Sequence, residues 1–116
     1  MKRTVDITLN GVTYPLCCSL GAVEEIEEKY KTLEAVIDLM IQGNYKVTLD
    51  ILRIFLKYGA KRAKQFGDEE VTIPDDIEDM LDLSDFAEIS KKISAAIRAS
   101  QENEIKAESK KKGNDQ

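Results

Sequence analysis

The sequence predicts a mainly α protein of the α+β class, with an N-terminal two-stranded antiparallel hairpin packed on about five helices. Three observations predict this. Val5, Ile7 and Leu9 alternate with polar residues, Asn10-Gly11 interrupts, and Val12, Tyr14 and Leu16 resume the alternation. Beyond residue 19, apolar residues recur at three- and four-residue spacing, the period of amphipathic helices. The composition, 42% hydrophobic and 34% charged over 116 residues, suits one domain with a modest core.

Asn-Gly between two alternating runs signals a type I′ hairpin turn, which needs positive φ at both central residues. A two-residue loop sets the register: Leu9 opposite Val12, Ile7 opposite Tyr14, Val5 opposite Leu16. Opposed residues share a face, so these apolar side chains lie together. Asp6 faces Pro15 at a non-hydrogen-bonded site, so the missing N–H of Pro15 costs nothing inside the hairpin. On the other side it would cost a bond, which predicts that the second strand is an edge. An isolated hairpin is marginal in water, so the helices must support it. Continued alternation puts Cys18 on the apolar face and leaves Cys17 half-exposed on the other.

Ser19 is an N-cap for a helix over residues 20–30, with Leu20, Val23, Ile26 and Tyr30 inward and Glu24, Glu25, Glu27 and Glu28 outward. Thr32 caps a second helix with the stripe Leu33, Val36, Ile37 and Met40, and Gly43-Asn44 closes it as a C-cap pair. Residues 46–66 form the longest apolar-rich segment. Between Ile51 and Tyr58 its apolar residues exceed one stripe, which marks a central, buried helix. Gly59 inside it marks a close helix–helix approach, and Gly67 ends it.

The charge then inverts. Residues 67–90 hold ten acids and neither Lys nor Arg. Thr72, Ile73, Pro74, Asp75 and Asp76 read as a helix start, with Pro in the first turn and acids favoured by the dipole. Ile77, Met80 and Leu81 suit a short amphipathic helix. Asp82 or Ser84 starts the last one, whose stripe is Phe86, Ile89, Ile93, Ala96 and Ile97, running to about Ser100. Residues 1–104 form a single globular domain. Residues 105–116, dominated by charged and polar residues with Gly and Ser among them and without a stripe, read as a disordered tail.

The chain contains no histidine, which removes the commonest general base and metal ligand. Its two cysteines are adjacent, so no disulfide framework is available. Asp75, Asp76, Glu78 and Asp79 lack the spacing of an EF-hand loop and read as a solvated helix start. The glycines are scattered, so no loop cradles phosphate. The expectation is therefore no catalytic residue, no metal and no cofactor. A net charge of −5 speaks against nucleic acid. No apolar run reaches the roughly 20 residues of a membrane span, and no signal-peptide core is present, so a cytoplasmic, membrane-free protein is expected.

Two helix faces remain as partner-binding candidates. One is the basic face of the third helix, Arg53, Lys57, Lys61 and Arg62. The other is the stripe Phe86, Ile89, Ile93 and Ile97, which equally suits the core. The basic helix and the acidic block can pair within one chain or head to tail between chains. The sequence leaves both open, and the second makes a homo-oligomer that weakens with salt.

The order of elements, with Gly11, Tyr14 and Leu16 preceding a helix that carries Ala22, Ile26 and Glu27, resembles the tail assembly chaperones of long-tailed phages and prophages, in particular the group related to gene-transfer-agent tail proteins. Residues 72–81 resemble that group's Thr-then-acidic helix start. The likeness runs thinly over residues 4–100. It implies a non-enzymatic protein of the bacterial host cytoplasm that binds the tape-measure protein, or a tail-tube protein, during tail morphogenesis. A frameshifted longer form is common in that group, and its extension would attach at residues 106–116. A small adaptor or regulatory domain of a mobile element that binds a protein partner is the alternative the residues also allow.

Overall fold

Asn10 and Gly11 turn the chain with φ of 51° and 81°, the positive pair a type I′ turn requires. The strands they join are β1 (Val5–Leu9) and β2 (Val12–Leu16), paired with Val5 opposite Leu16, Asp6 opposite Pro15, Ile7 opposite Tyr14 and Leu9 opposite Val12. This is the register expected from the turn. The structure, a computed structural model, describes the backbone of residues 3–114 and the side chains of residues 3–101. Ile7, Leu9, Tyr14 and Leu16 are buried, and Thr8 and Thr13 hydrogen-bond across the opposite face at 2.9 Å. Val12 shares the apolar face but overhangs the core at the turn and stays 49% exposed.

Among the described residues four α-helices follow: α1 (Leu20–Tyr30), α2 (Leu33–Ile41), α3 (Tyr45–Gly67) and α4 (Phe86–Asn114). Each of the first three has a side-chain oxygen on an otherwise orphaned backbone N–H. Ser19 accepts from Ala22, Thr32 from Ala35, and Asn44 from Val47. Gly43, with φ of 85°, leaves α2 as expected, but Asn44 belongs to the next helix as its N-cap. At the far end of α3 the left-handed residue is Asp68, one past Gly67, with φ of 50°. Asp tolerates that region better than most L-residues because its short polar side chain bonds locally.

α3 is the axle of the fold. It touches β2, α1, α2 and α4, while β1 rests on α4. Ile51, Leu52, Phe55 and Leu56 are wholly buried on it, beside Leu16, Ile26, Val36 and Ile93 from its neighbours. Burial on more than one stripe is what the sequence predicts for a central helix.

The close approach at Gly59 is of helix to strand, not helix to helix. A Cβ built there would lie 1.9 Å from the Pro15 carbonyl oxygen and 2.5 Å from its carbon. Only a residue without Cβ lets the α3 backbone pass. Two residues on, the Cys17 N–H donates to the Phe55 carbonyl at 3.1 Å, so the strand end is tied to α3 backbone to backbone. Among the described residues the sheet has two strands, and α3 packs against β2 on the Pro15 side. The expected edge is therefore covered by a helix, a common way of blunting one. This packing also buries Cys17, which strand alternation alone left half-exposed. Both thiols are under 4% exposed, and burial pushes Cys18 up to about 12 and raises Cys17 as well.

The acidic stretch departs furthest from expectation. Residues 68–74 have no regular structure, and the expected helix start gives only a single 3₁₀ turn, Ile77–Met80, with no side-chain cap on its first residue. One apolar anchor, Ile77, is fully buried. A helix needs several bonds to offset its nucleus, and this short, mutually repelling run cannot supply them. A second 3₁₀ turn, Leu83–Asp85, leads into α4. Asp82 rather than Ser84 starts it, through a capping box in which the Asp85 carboxylate accepts from the Asp82 N–H at 2.8 Å. The tail expected over residues 105–116 lies outside the residues whose side chains are described.

Candidate partner-binding site

The basic face of α3 is engaged within the chain. Arg53 donates to Glu78 at 2.6 Å, which ties the axle to the first 3₁₀ turn. Lys57 donates to Glu25 of α1 at 2.7 Å, and the Tyr58 hydroxyl donates to the same carboxylate oxygen at 3.1 Å. The Lys57 hydrogen bond chiefly holds the Glu25 carboxyl below its ordinary value and the lysine above its own. Lys61 lies 4.9 Å from the centre of the Tyr58 ring, and Arg62 lies 5.7 Å from that of Phe66. Lys64 reaches Asp68 and Glu70 at 3.4 and 3.5 Å. Basic helix and acidic block thus pair inside one chain at Arg53 and Lys64. The strongest partner of Lys57, however, comes from α1. Each half-exposed pair is worth about 0–1 kcal/mol.

A second polar cluster joins α1 to α3. Asp50 accepts from Lys29 at 2.9 Å and from the Tyr30 hydroxyl. Burial acts to raise the Asp50 carboxyl, but the two hydrogen bonds and the nearby cations together hold it low. Burial, then the bond to Asp50, pushes Tyr30 up to about 12.

The apolar stripe of α4 divides. Ile89, Ile93 and Ile97 are at most 6% exposed and belong to the core, so they present no surface. Phe86 is half-buried, edge-on to Tyr45 with ring centres 4.6 Å apart. That pair opens one of several surface depressions.

One of them, about 850 Å³, is lined by residues that include Cys17, Cys18, Arg3, Arg62 and the α4 residues Ile97, Ser100 and Gln101. The Ser100 hydroxyl closes its floor by donating to the Cys18 carbonyl at 2.6 Å. Another, beside the Tyr45–Phe86 pair, is a groove of about 320 Å³ between the start of α3 and the two 3₁₀ turns, lined by Tyr45, Leu49, Glu78, Leu81, Asp82, Leu83, Phe86 and Ile89. Its floor is Ile89, 2% exposed, while Leu83 is 75% and Tyr45 54% exposed. The wall is apolar and the rim carries carboxylates.

Of the expected site residues, Phe86 lines the wall of this groove and Ile89 its floor, and Arg53 touches it indirectly through Glu78. Tyr45, Leu81 and Leu83 were not expected as partner contacts. A sequence signal exists for Leu83: it precedes Phe86 by three, so the α4 stripe begins one turn before the helix does. No such signal exists for Tyr45, which the fold alone brings to Phe86. Among the described residues no three or more Cys, Asp or Glu gather as a metal site, and no helix is long and apolar enough to cross a membrane. In comparisons with known proteins, no family model, curated protein or solved structure matches this chain.

Proposed function

We propose that this protein is a non-enzymatic tail assembly chaperone of a long-tailed phage or prophage, acting in the host cytoplasm on the tape-measure protein while the tail tube forms. The observation that carries the reading is the groove beside the Tyr45–Phe86 pair. Large apolar side chains there are held open to solvent on a rigid frame, next to carboxylates that keep the free chain dispersed. A chaperone of a long apolar helix needs such a surface: sticky toward the client and repelled by its own copies. The resemblance at Gly11, Tyr14, Leu16, Ala22, Ile26 and Glu27 supports the reading from the other end of the molecule. Gly11 is in the hairpin turn, Tyr14 and Leu16 are buried strand positions, Ala22 and Ile26 form the inner face of α1, and Glu27 lies on its outer face.

The test is co-expression of the full chain with a tape-measure protein from the same genome. The expected result is a tape-measure protein retained in the soluble fraction and co-purifying with the chain. Aggregation of the tape-measure protein at the same rate with and without the chain overturns the reading in favour of an adaptor or regulatory role.

A further inference from the structure

We infer that the groove formed by Tyr45, Leu49, Leu81, Leu83 and Phe86 docks an amphipathic helix whose apolar stripe is flanked by Lys or Arg. The inference rests on the proposed function for the partner's identity, and on the groove alone for its chemistry.

Single exposed apolar residues are ordinary on a protein surface. Here several converge on one concave site whose floor is already core. The volume, about 320 Å³, lies at the low end of the roughly 300–1,000 Å³ of ligand clefts, enough for a few side chains of a helix laid across it.

Charge selects the occupant. The rim is Glu78 and Asp82, within a stretch over residues 67–90 of ten acids and no base. Asp75, Asp76, Asp79 and Glu88 make no ion pair among the described residues, whereas Glu78 shares Arg53. A second copy docking by two-fold symmetry would bring this acidic rim onto itself. A second copy docking head to tail could offer exposed cations such as Lys46, Lys91 or Arg98, and is the rival occupant that sedimentation tests. Anionic lipid and nucleic acid are repelled by the same carboxylates. A cationic amphipathic helix satisfies both halves of the site: leucine-like residues spaced i, i+3 and i+7 enter the groove, and flanking cations meet the rim.

The test uses two labelled synthetic peptides with leucines at that spacing, one with lysine flanks and one with glutamate flanks. Binding to the full chain is read by fluorescence anisotropy. The lysine peptide should bind and weaken at least tenfold in 0.5 M salt, and the glutamate peptide should bind at least tenfold more weakly at low salt. Leu83→Asp should cost at least tenfold, with an unchanged circular dichroism spectrum and melting profile. Leu20→Asp, at a site 87% exposed outside the groove, should change affinity less than twofold. Equal binding of the two peptides, or indifference to Leu83→Asp, overturns the inference, as does a wild-type dimer in sedimentation that Leu83→Asp dissociates. If co-expressed tape-measure protein stays soluble with the Leu83→Asp chain as with wild type, the chaperone reading survives and this site does not. If the lysine peptide docks as expected but no tape-measure protein is kept soluble, the site survives and the chaperone reading does not.

Discussion

The junction of β2 with α3 and the acidic stretch leading into α4 solve opposite problems with the same chain. At the first, two backbones meet with no room for a Cβ, the N–H of Cys17 bonds a helix carbonyl, and Leu16, Cys17, Phe55 and Leu56 beside them are buried. At the second, one buried isoleucine anchors two short turns, and Leu83 and Tyr45 stand in solvent. The first region uses its apolar residues on folding. The second holds some in reserve, and apolar surface not used in folding is available for association. The contrast separates what makes this protein fold from what it can offer a partner.

The largest effects should fall at the junction. Gly59→Ala would favour a free helix by about 1 kcal/mol. Here it should instead destabilise by about 3 kcal/mol, the upper end of overpacking costs, because the clash is with backbone that cannot rotate away. Phe55→Ala should cost about 3–5 kcal/mol. Urea melts measure both, and a stabilised Gly59→Ala variant would show that the two backbones are not in contact.

An intermediate effect should separate the two kinds of apolar residue within the acidic stretch. Ile77→Ala should cost about 2–4 kcal/mol as a fully buried anchor. Leu83→Ala should lie within about 0.5 kcal/mol of wild type. Similar urea midpoints for these two variants would erase the distinction between anchor and exposed reserve.

The smallest effects concern the polar links between α1 and α3, and they are read as pH dependence. Glu25 and Asp50 titrate lower in the folded protein than unfolded. Their contribution is therefore complete above the ordinary carboxylate pKa and is lost as pH falls through the depressed folded values. Tyr30 and Cys18 are raised from 10.0 and 9.0 to about 12, so their contribution is complete below the unfolded values. It disappears as pH rises from about 9 to 12. Thermal melts across pH should fall at both ends. Glu25→Gln should flatten the acid limb and Tyr30→Phe the alkaline limb, each by less than about 1 kcal/mol near neutrality. An unchanged alkaline limb in Tyr30→Phe would remove the tyrosine from this account.

Local patterns carried the sequence reading a long way. Asn10-Gly11 set the register because a two-residue turn leaves one choice, and Ser19 and Thr32 announced helix starts because their hydroxyls serve the helix's own N–H groups. At residues 72–76 helix-start signals are present, but too few apolar residues follow to sustain a helix. Partner candidates on α3 and α4 were legible as faces but not as surfaces: Ile89, Ile93 and Ile97 turned inward, and Arg53 and Lys57 found acids of their own chain.

By itself the sequence determined the hairpin and its register, the buried centre of α3 and the acidic character of residues 67–90, because each depends on residues within a few positions of one another. Only the tertiary structure decided that Gly59 faces Pro15, that Cys17 is buried, that Glu25 holds Lys57, and that Tyr45 meets Phe86 to open a groove. Each of those contacts joins elements whose relative placement follows from packing the whole core at once, and no local pattern encodes it.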